Sequence, residues 1–151
     1  MTKEQLEFLN IMTELRKLNI SSMLPEITMG EFDVLKRIED VKGEDGRARI
    51  SCVVRSMCMP PPAISRAMGI LETKGYIRRD VDRRDRRNTL VEITASGEAL
   101  IKEVDAIMEE FADAVFGNMG EDIMQKLNAY LRQFAETSKA EVAKRKYKGN
   151  R

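Results

Sequence analysis

Histidine and tryptophan are absent from the 151-residue sequence, and cysteine occurs only twice. Without histidine, the chain lacks the commonest general base, the Ser-His and Cys-His nucleophile systems and the usual transition-metal ligand. The phosphate-binding patterns G-x-x-x-x-G-K-[ST] and G-x-G-x-x-G are missing as well. These absences disfavour an enzyme, and the sequence predicts no cofactor and no metal site.

Long hydrophobic runs are also missing. No window approaches the roughly 18 consecutive apolar residues that a membrane span needs. Residues 1–10 lack the basic start and the apolar stretch of a signal peptide. With 42% hydrophobic and 34% charged residues, the chain has the composition of a folded protein of about one domain. We therefore expect a cytoplasmic protein with no membrane partner.

The two cysteines, Cys52 and Cys58, are too few for a disulfide framework. Six helical residues would hold their Cα atoms about 9 Å apart, which is too far for a disulfide bond. We expect reduced thiols that are buried for structural reasons, and a redox switch at either cysteine is the alternative.

The net charge of +1 conceals a basic middle segment. Residues 47–88 carry eleven basic and four acidic side chains, a net charge of +7, so the remaining residues together carry −6. This polarisation predicts that the middle segment binds a polyanion, with a solvated charged surface as the alternative.

The N-terminal segment has the spacing of an amphipathic helix. Phe8, Met12 and Leu15 recur at helical intervals, and neighbouring apolar residues widen the stripe beyond one face. Pro25 is expected to end this helix.

Two threonines mark the starts of further helices. Thr28 and Glu31 match a capping box, which predicts a second helix from the residue after Thr28. Thr94 is a natural N-cap for a helix whose apolar residues step by threes and fours over Leu100–Val115. Residues 116–120 interrupt the pattern, which then resumes in a last helix.

The helices at both ends of the chain have apolar faces that a domain of this size cannot cover by itself. We therefore predict a homodimer in which the first helix and the last two form the interface. Packing of these helices on one another within one monomer is the alternative. The predicted interface residues are Phe8, Met12, Leu15, Leu127, Tyr130, Leu131 and Phe134.

The basic middle segment has the pattern of a helix-turn-helix. A short strand near Ala48 leads to Ser51 as a fair N-cap and to a helix over Cys52–Met57. After a turn and three prolines, Ala63–Lys74 is predicted as the next helix, which stops at Gly75. Its inward residues are Ile64, Met68 and Leu71. Its opposite face, small enough to enter a major groove, holds Pro62, Ala63, Ser65, Arg66 and Gly69.

A hairpin with an arginine-rich tip follows. Tyr76–Arg79 and Thr89–Ile93 have the composition of strands, and residues 82–88 lie between them. The tip suits a nucleic-acid backbone or a narrow minor groove, because its arginines repel one another unless an anion compensates them. The predicted DNA contacts here are Arg83, Arg84, Asp85, Arg86 and Arg87.

Three parts of the sequence resemble the MarR-type winged helix-turn-helix transcription regulators. They are residues 29–35, residues 61–66 together with 71–72 and 75–79, and residues 85–97. In the last stretch an Asp-x-Arg wing leads through a strand into Thr-x-x-Gly and a long helix. The resemblance implies a dimer formed by the first and last helices. It also implies a recognition helix that faces the major groove with Ser65 and Arg66, and a wing arginine, Arg87, that enters the minor groove with Asp85 as its orienting partner. Where the family often has Ser or Thr as the cap of the recognition helix, this chain has Pro60.

The predicted fold is mainly α (α+β), a winged helix-turn-helix with N- and C-terminal dimerisation helices. Residues 1–27 form the first dimerisation helix, residues 28–97 the DNA-binding region, and residues 98–151 the last helices and a basic tail, all in one intertwined domain. The predicted function is a repressor that binds pseudo-palindromic double-stranded DNA as a homodimer. A winged-helix module that binds protein or RNA through its basic face is the alternative. A small apolar or aromatic effector, held by some of the ten methionines, is an open possibility beside simple core filling.

Overall fold

The computed structural model describes residues 1–81 and 89–145. The chain divides into two compact units, Met1–Ile107 and Met108–Arg151. In chain order the elements are α1 (Lys3–Lys17), a short 3-10 helix (Ile20–Met23), α2 (Met29–Val41), β1 (Arg47–Arg49), α3 (Ile50–Ser56), α4 (Pro61–Thr73), β2 (Ile77–Val81), β3 (Thr89–Ile93), α5 (Ala95–Phe116) and α6 (Glu121–Lys144). The mostly helical winged helix fold that the sequence predicts is confirmed.

The sheet of the first unit is antiparallel, and β3 lies between β1 and β2. Ala48 pairs with Val91, and Ile77 pairs with Ile93. These four side chains are buried, so one face of the sheet packs into the core while the alternate residues point outward.

The core of the first unit is built from the helices around this sheet. Leu35 and Ile38 of α2, Val53 of α3 and Leu71 of α4 are fully buried. The first half of α5 adds its own buried face at Leu100, Ile101 and Val104. Burial of these apolar side chains holds α2, α3, α4 and the sheet in a fixed arrangement.

The capping box that the sequence predicts for α2 is present. The Thr28 side chain accepts a hydrogen bond from the Glu31 amide at 3.2 Å, and the Glu31 carboxylate accepts one from the Thr28 amide at 3.2 Å. Glu31 is buried, with 8% of its surface exposed. This reciprocal pair fixes the start of α2 at the residue after Thr28, as expected.

The first helix ends earlier than expected. Pro25 was expected to terminate it, but α1 stops at Lys17, and Leu18 already has an extended backbone. A short 3-10 helix follows before Pro25 is reached. The prediction of this boundary is therefore wrong, because the local hydrogen bonds around Leu18 end the helix before the proline does.

The second unit contains the end of α5 and the whole of α6. A turn leads to Gly120, whose φ of 75° is suited to glycine, and α6 begins at the next residue. The side chains of α6 are exposed or half-buried in the described part of the helix.

Candidate nucleic-acid interface

The first helix of the predicted helix-turn-helix begins sooner than the sequence suggests. Strand β1 passes directly into α3 at Ile50, and Arg49 occupies the N-cap position without a side-chain hydrogen bond. Ser51 is therefore inside the helix, and its prediction as the cap is wrong. The end of the strand supplies an extended residue in the cap position, so no serine is needed there.

The second helix of the motif, α4, begins with two prolines. Pro60 is its N-cap and makes no side-chain capping bond, and Pro61 is the first helical residue. The Pro60 carbonyl accepts hydrogen bonds from the amides of Ala63 (2.9 Å) and Ile64 (3.3 Å). Because proline has no amide hydrogen, the first turn has fewer unpaired donors and needs less capping. The helix thus starts two residues before the predicted Ala63.

The two faces of α4 are buried and exposed as the helical periodicity of the sequence predicts. Ile64, Met68 and Leu71 are buried in the core of the first unit. Pro62, Ser65 and Arg66 are exposed, and Ala63 is half-buried. Within the described residues, Arg66 makes no ion pair and is available to an external anion.

Gly69 leaves the outer face of α4 without a side chain at this position. A Cβ atom built on Gly69 would meet no other atom within 4 Å, so the core does not require glycine here. The helix therefore has an open surface next to Ser65 and Arg66, which suits the close approach of a large ligand such as a duplex.

The C-terminal end of α4 is fastened to other elements of the first unit. The Lys74 ammonium donates to the Glu31 carboxylate at 3.4 Å and also to the backbone carbonyl of Glu26. The next residue, Gly75, has a φ of 78° and ends the helix as the sequence predicts. Its carbonyl accepts hydrogen bonds from Thr94 Oγ1 at 2.7 Å and Ser96 Oγ at 3.2 Å. The position of α4 is thus tied to the starts of α2 and α5.

Thr94 also performs the capping role that the sequence assigns to it. Its Oγ1 accepts a hydrogen bond from the Gly97 amide at 3.1 Å, and its own amide donates to the Tyr76 carbonyl at 3.0 Å. Gly97 is buried against this same carbonyl, and a Cβ atom there would overlap it. The Thr-x-x-Gly pattern therefore reflects a close approach of α5 to the start of β2.

Two ion pairs hold β2. The Arg79 guanidinium donates through Nε to Glu72 Oε2 of α4 at 2.8 Å, and its Nη2 donates to the same oxygen. Arg78 Nη2 donates to Glu92 Oε2 of β3 at 2.9 Å. These arginines sit on opposite faces of the strand, so one pair joins the strand to a helix and the other joins it to the neighbouring strand.

Further exposed cations lie on β1 and on the first helix of the helix-turn-helix, and the sequence-based prediction of contacts does not include them. Arg47 and Arg49 are exposed on β1, and Arg55 is exposed on α3, where its Nε donates to the Ser51 carbonyl at 3.3 Å. Their charges were visible in the composition of the middle segment. The structure shows that all three side chains are exposed.

The tip of the predicted wing lies outside the described residues. Strands β2 and β3 pair in register as far as Val81 and Thr89, which flank residues 82–88. The sequence-predicted contacts that fall in this stretch are Arg83, Arg84, Asp85, Arg86 and Arg87.

The cysteines differ from their predicted environment. Both thiols are free, as expected, but Cys52 is half-buried and Cys58 is exposed. The prediction of buried thiols is therefore wrong. Cys58 lies in the turn after α3, where no core face exists to cover it, and Arg55 Nη2 lies 3.5 Å from Cys52 Sγ.

The predicted dimer residues of the first unit lie on α1, which has no buried residue. Met12 and Leu15 are exposed, the latter over 54% of its surface, and Phe8 is half-buried. In the second unit, α6 exposes Tyr130, Leu131 and Phe134, and Leu127 is half-buried. Each helix therefore carries apolar side chains on its surface in the single chain.

Neither a membrane span nor a metal site is found among residues 1–81 and 89–145. No helix in these ranges is both long enough and apolar enough to cross a bilayer. Likewise, no group of three or more histidine, cysteine or acidic side chains in these ranges is arranged to bind a metal ion.

Comparison with known proteins finds a matching domain family and several similar proteins. Residues 33–97 match the family model of a winged helix DNA-binding domain. The transcriptional regulator HosA of Escherichia coli O111:H- is 29% identical over 106 residues, which cover 68% of this chain and 76% of HosA.

Solved structures show the same fold. A putative MarR-like transcription regulator of Bacillus cereus ATCC 10987 has a TM-score of 0.71 at 18% identity, covering 90% of this chain and 99% of that one. BpsR of Bordetella bronchiseptica, whose DNA binding is regulated by 6-hydroxynicotinic acid, has a TM-score of 0.65 at 19% identity, covering 86% and 92%. HosA and the Bacillus cereus protein are both named as transcription regulators, which agrees with the prediction that this chain is not an enzyme.

Proposed function

We propose that this MarR-like transcriptional regulator, which has a winged helix DNA-binding domain over residues 33–97, binds pseudo-palindromic duplex DNA as a homodimer and represses transcription. The observation that carries the proposal is the outer face of α4. Ser65 and Arg66 are exposed there beside a glycine with open space around it, while the opposite face is fully buried. A helix of this kind, second in a helix-turn-helix, is the element that enters a major groove.

Direct reading of bases rests on few side chains in this proposal. On the outer face of α4, Ser65 and Arg66 carry the hydrogen-bonding groups, while Pro62, Ala63 and Gly69 offer only apolar surface. Arg66 is suited to a guanine edge, because a guanidinium can donate two parallel hydrogen bonds to it. The sparse set of donors leaves a larger share of specificity to DNA shape.

We propose that the wing supplies this reading of shape. Arg87 enters a narrow minor groove, where the negative potential is enhanced, and Asp85 orients it. Arg83, Arg84 and Arg86 add contacts to the phosphate backbone, which raise affinity without reading sequence. The resemblance to MarR-type regulators and the net charge of residues 47–88 support these roles.

A homodimer is proposed because a pseudo-palindromic site requires two recognition helices related by a two-fold axis. The apolar side chains exposed on α1, among them Met12 and Leu15, support a second copy as their partner. Exposed Tyr130, Leu131 and Phe134 on α6 support the same partner independently. Covering these side chains would remove apolar surface from water on both helices.

A small effector is part of the proposal. BpsR, a structural neighbour, responds to 6-hydroxynicotinic acid, and we propose that a small aromatic molecule of similar chemistry releases this regulator from DNA. The protein is proposed to act in the cytoplasm, where its DNA target lies.

The test is a selection of bound sequences from a pool of randomised 30-base-pair duplexes with the purified full chain. We expect enrichment of a site with two related half-sites, and a binding constant that falls steeply with salt. Light scattering should give a mass near twice the chain mass of 17.3 kDa. No enrichment and no duplex binding at low salt would refute the proposal, and binding of structured RNA or protein instead would favour an interaction module.

A further inference from the structure

In the hairpin formed by β2 and β3, β2 contributes only its first residue to the hydrophobic core, whereas β3 buries Ile93 and Val91. Ile77, the first residue of β2, is buried, but the following four residues of the strand are exposed. Val81, at the far end, has 52% of its surface exposed. Apolar packing therefore reaches Val91 on β3 but ends at Ile77 on β2, and no residue nearer the tip on either strand is buried in the described part of the hairpin.

The Glu72–Arg79 pair adds a direct link between α4 and the part of β2 that lies beyond its buried first residue. Arg79 pairs with Val91 in the register of the sheet, two residues beyond the buried Ile77 and two before Val81. Its guanidinium donates both Nε and Nη2 to one carboxylate oxygen of Glu72, in the last turn of α4. Two donors that share one acceptor restrict the orientation of the guanidinium plane more than a single contact would.

The charged state of the pair suits this role. The hydrogen bond from Arg79 lowers the pKa of Glu72 and, in turn, the Glu72 carboxylate raises the pKa of Arg79. Both groups are therefore ionised at neutral pH, and each keeps about a third of its side chain exposed. The positive charge of Arg79 balances the Glu72 carboxylate, so the pair can link α4 to β2 without adding a net charge to this part of the first unit.

We propose that Glu72 is a positioning residue that, through Arg79, sets the angle between the recognition helix and the wing hairpin. The inference rests on the proposed function, in which α4 enters a major groove and the wing reaches the adjacent minor groove. The separation of the two grooves is a property of DNA, so both elements bind together only at the correct angle. Glu72 would thus determine specificity without contacting a base.

The chain contains a matched control for this role. Arg78 and Glu92 form an equivalent ion pair at 2.9 Å on the opposite face of β2, and these residues also pair in the sheet register. This pair joins β2 only to β3, which the backbone hydrogen bonds already hold together. Glu92→Gln and Glu72→Gln remove the same charge from the same hairpin, but only the second disconnects the hairpin from α4.

The experiment compares the affinity for the best duplex from the selection with the affinity for a scrambled duplex of the same length. Simple electrostatics predicts that both Glu→Gln variants bind every duplex more tightly. We expect Glu72→Gln to lower the ratio of the two affinities at least about fivefold, because scrambled DNA is bound through phosphates and does not need the correct angle. Glu92→Gln should leave the ratio within about twofold of wild type.

A charge-reversed double variant, Glu72→Arg with Arg79→Glu, tests whether pairing is the cause. It restores opposite charges on α4 and β2, and we expect the affinity ratio to recover most of its lost value. Circular dichroism and thermal unfolding of each variant show that the domain stays folded. Equal ratios in Glu72→Gln and Glu92→Gln, or no recovery in the double variant, would overturn the inference while leaving DNA binding itself intact. If the wild-type chain binds no duplex at all, the proposed function is overturned, and this inference with it.

Discussion

The contact between Gly97 and the start of β2 allows a prediction with a worked magnitude. A Cβ atom on Gly97 would overlap the Tyr76 carbonyl oxygen and would lie 2.8 Å from Cγ2 of Ile93. The carbonyl belongs to the backbone and already accepts the Thr94 amide at 3.0 Å, so it cannot move away without weakening that bond. Gly97→Ala must therefore shift the first turn of α5 away from the sheet.

The expected loss of stability is about 2 kcal/mol. Overpacking of a tight site costs about 1–3 kcal/mol, and a weakened hydrogen bond adds about 1 kcal/mol. The higher helix propensity of alanine returns up to about 1 kcal/mol. With a urea dependence of about 2 kcal/mol per molar, the unfolding midpoint should fall by about 1 M.

Gly69→Ala is the matched control, since the same substitution is made inside a helix with nothing within 4 Å of the new methyl group. It should raise the midpoint by up to about 0.5 M through helix propensity alone. The same variant should weaken duplex binding, because the methyl group projects from the outer face of α4. The assay is urea unfolding followed by circular dichroism at one fixed protein concentration. A Gly97→Ala midpoint equal to or above that of wild type would refute the packing argument.

Four further expectations concern DNA binding, assembly and pH. Arg87→Ala should weaken the free energy of DNA binding by about 1–3 kcal/mol per contact. The slope of the logarithm of the DNA-binding constant against the logarithm of salt concentration should become shallower by about 0.9 for each phosphate charge no longer neutralised, and an unchanged slope would contradict the role of Arg87. Arg66→Ala should relax the preference at one base position in each half-site in a repeated selection, whereas uniform weakening would indicate a phosphate contact. Leu15→Glu should reduce the mass measured by light scattering from about twice 17.3 kDa towards the single-chain value, since Leu15 is exposed in the single chain and the charge would oppose the dimer only. Arg79 lowers the pKa of Glu72, so the stabilisation by that pair is present above the unfolded-state pKa and is lost as pH falls through the lower folded-state pKa. The urea midpoints of wild type and Glu72→Gln should therefore differ at neutral pH and converge as the solution is acidified through the folded-state pKa of Glu72.

Local patterns in the sequence were sufficient for most of the helices and strands in the first unit. The capping box at Thr28, the N-cap at Thr94 and the stop at Gly75 are all present in the structure. Each depends on residues within three or four positions of one another, where hydrogen bonding and backbone conformation are decided by neighbours. The inward face of α4 followed from helical periodicity for the same reason.

The boundaries that the sequence misjudged depend on context beyond such neighbours. Ser51 looked like a cap, but the end of β1 places Arg49 in that position, and the strand exists because it pairs with β3 more than forty residues later. Cys58 was expected to be buried because cysteine is among the residue types most often found in protein cores. The end of α3 at Ser56 leaves it exposed in the turn.

The sequence by itself therefore determined the type of fold, the basic middle segment and the outer face of the recognition helix, because periodicity and charge are properties of the chain. Only the tertiary structure decided which charges pair. Glu72 with Arg79, and Lys74 with Glu31, are joined by packing across a turn or between helices that no repeat in the sequence predicts. The need for glycine at position 97 likewise arises from the carbonyl of Tyr76, which lies beside it only after β2 and α5 have packed together.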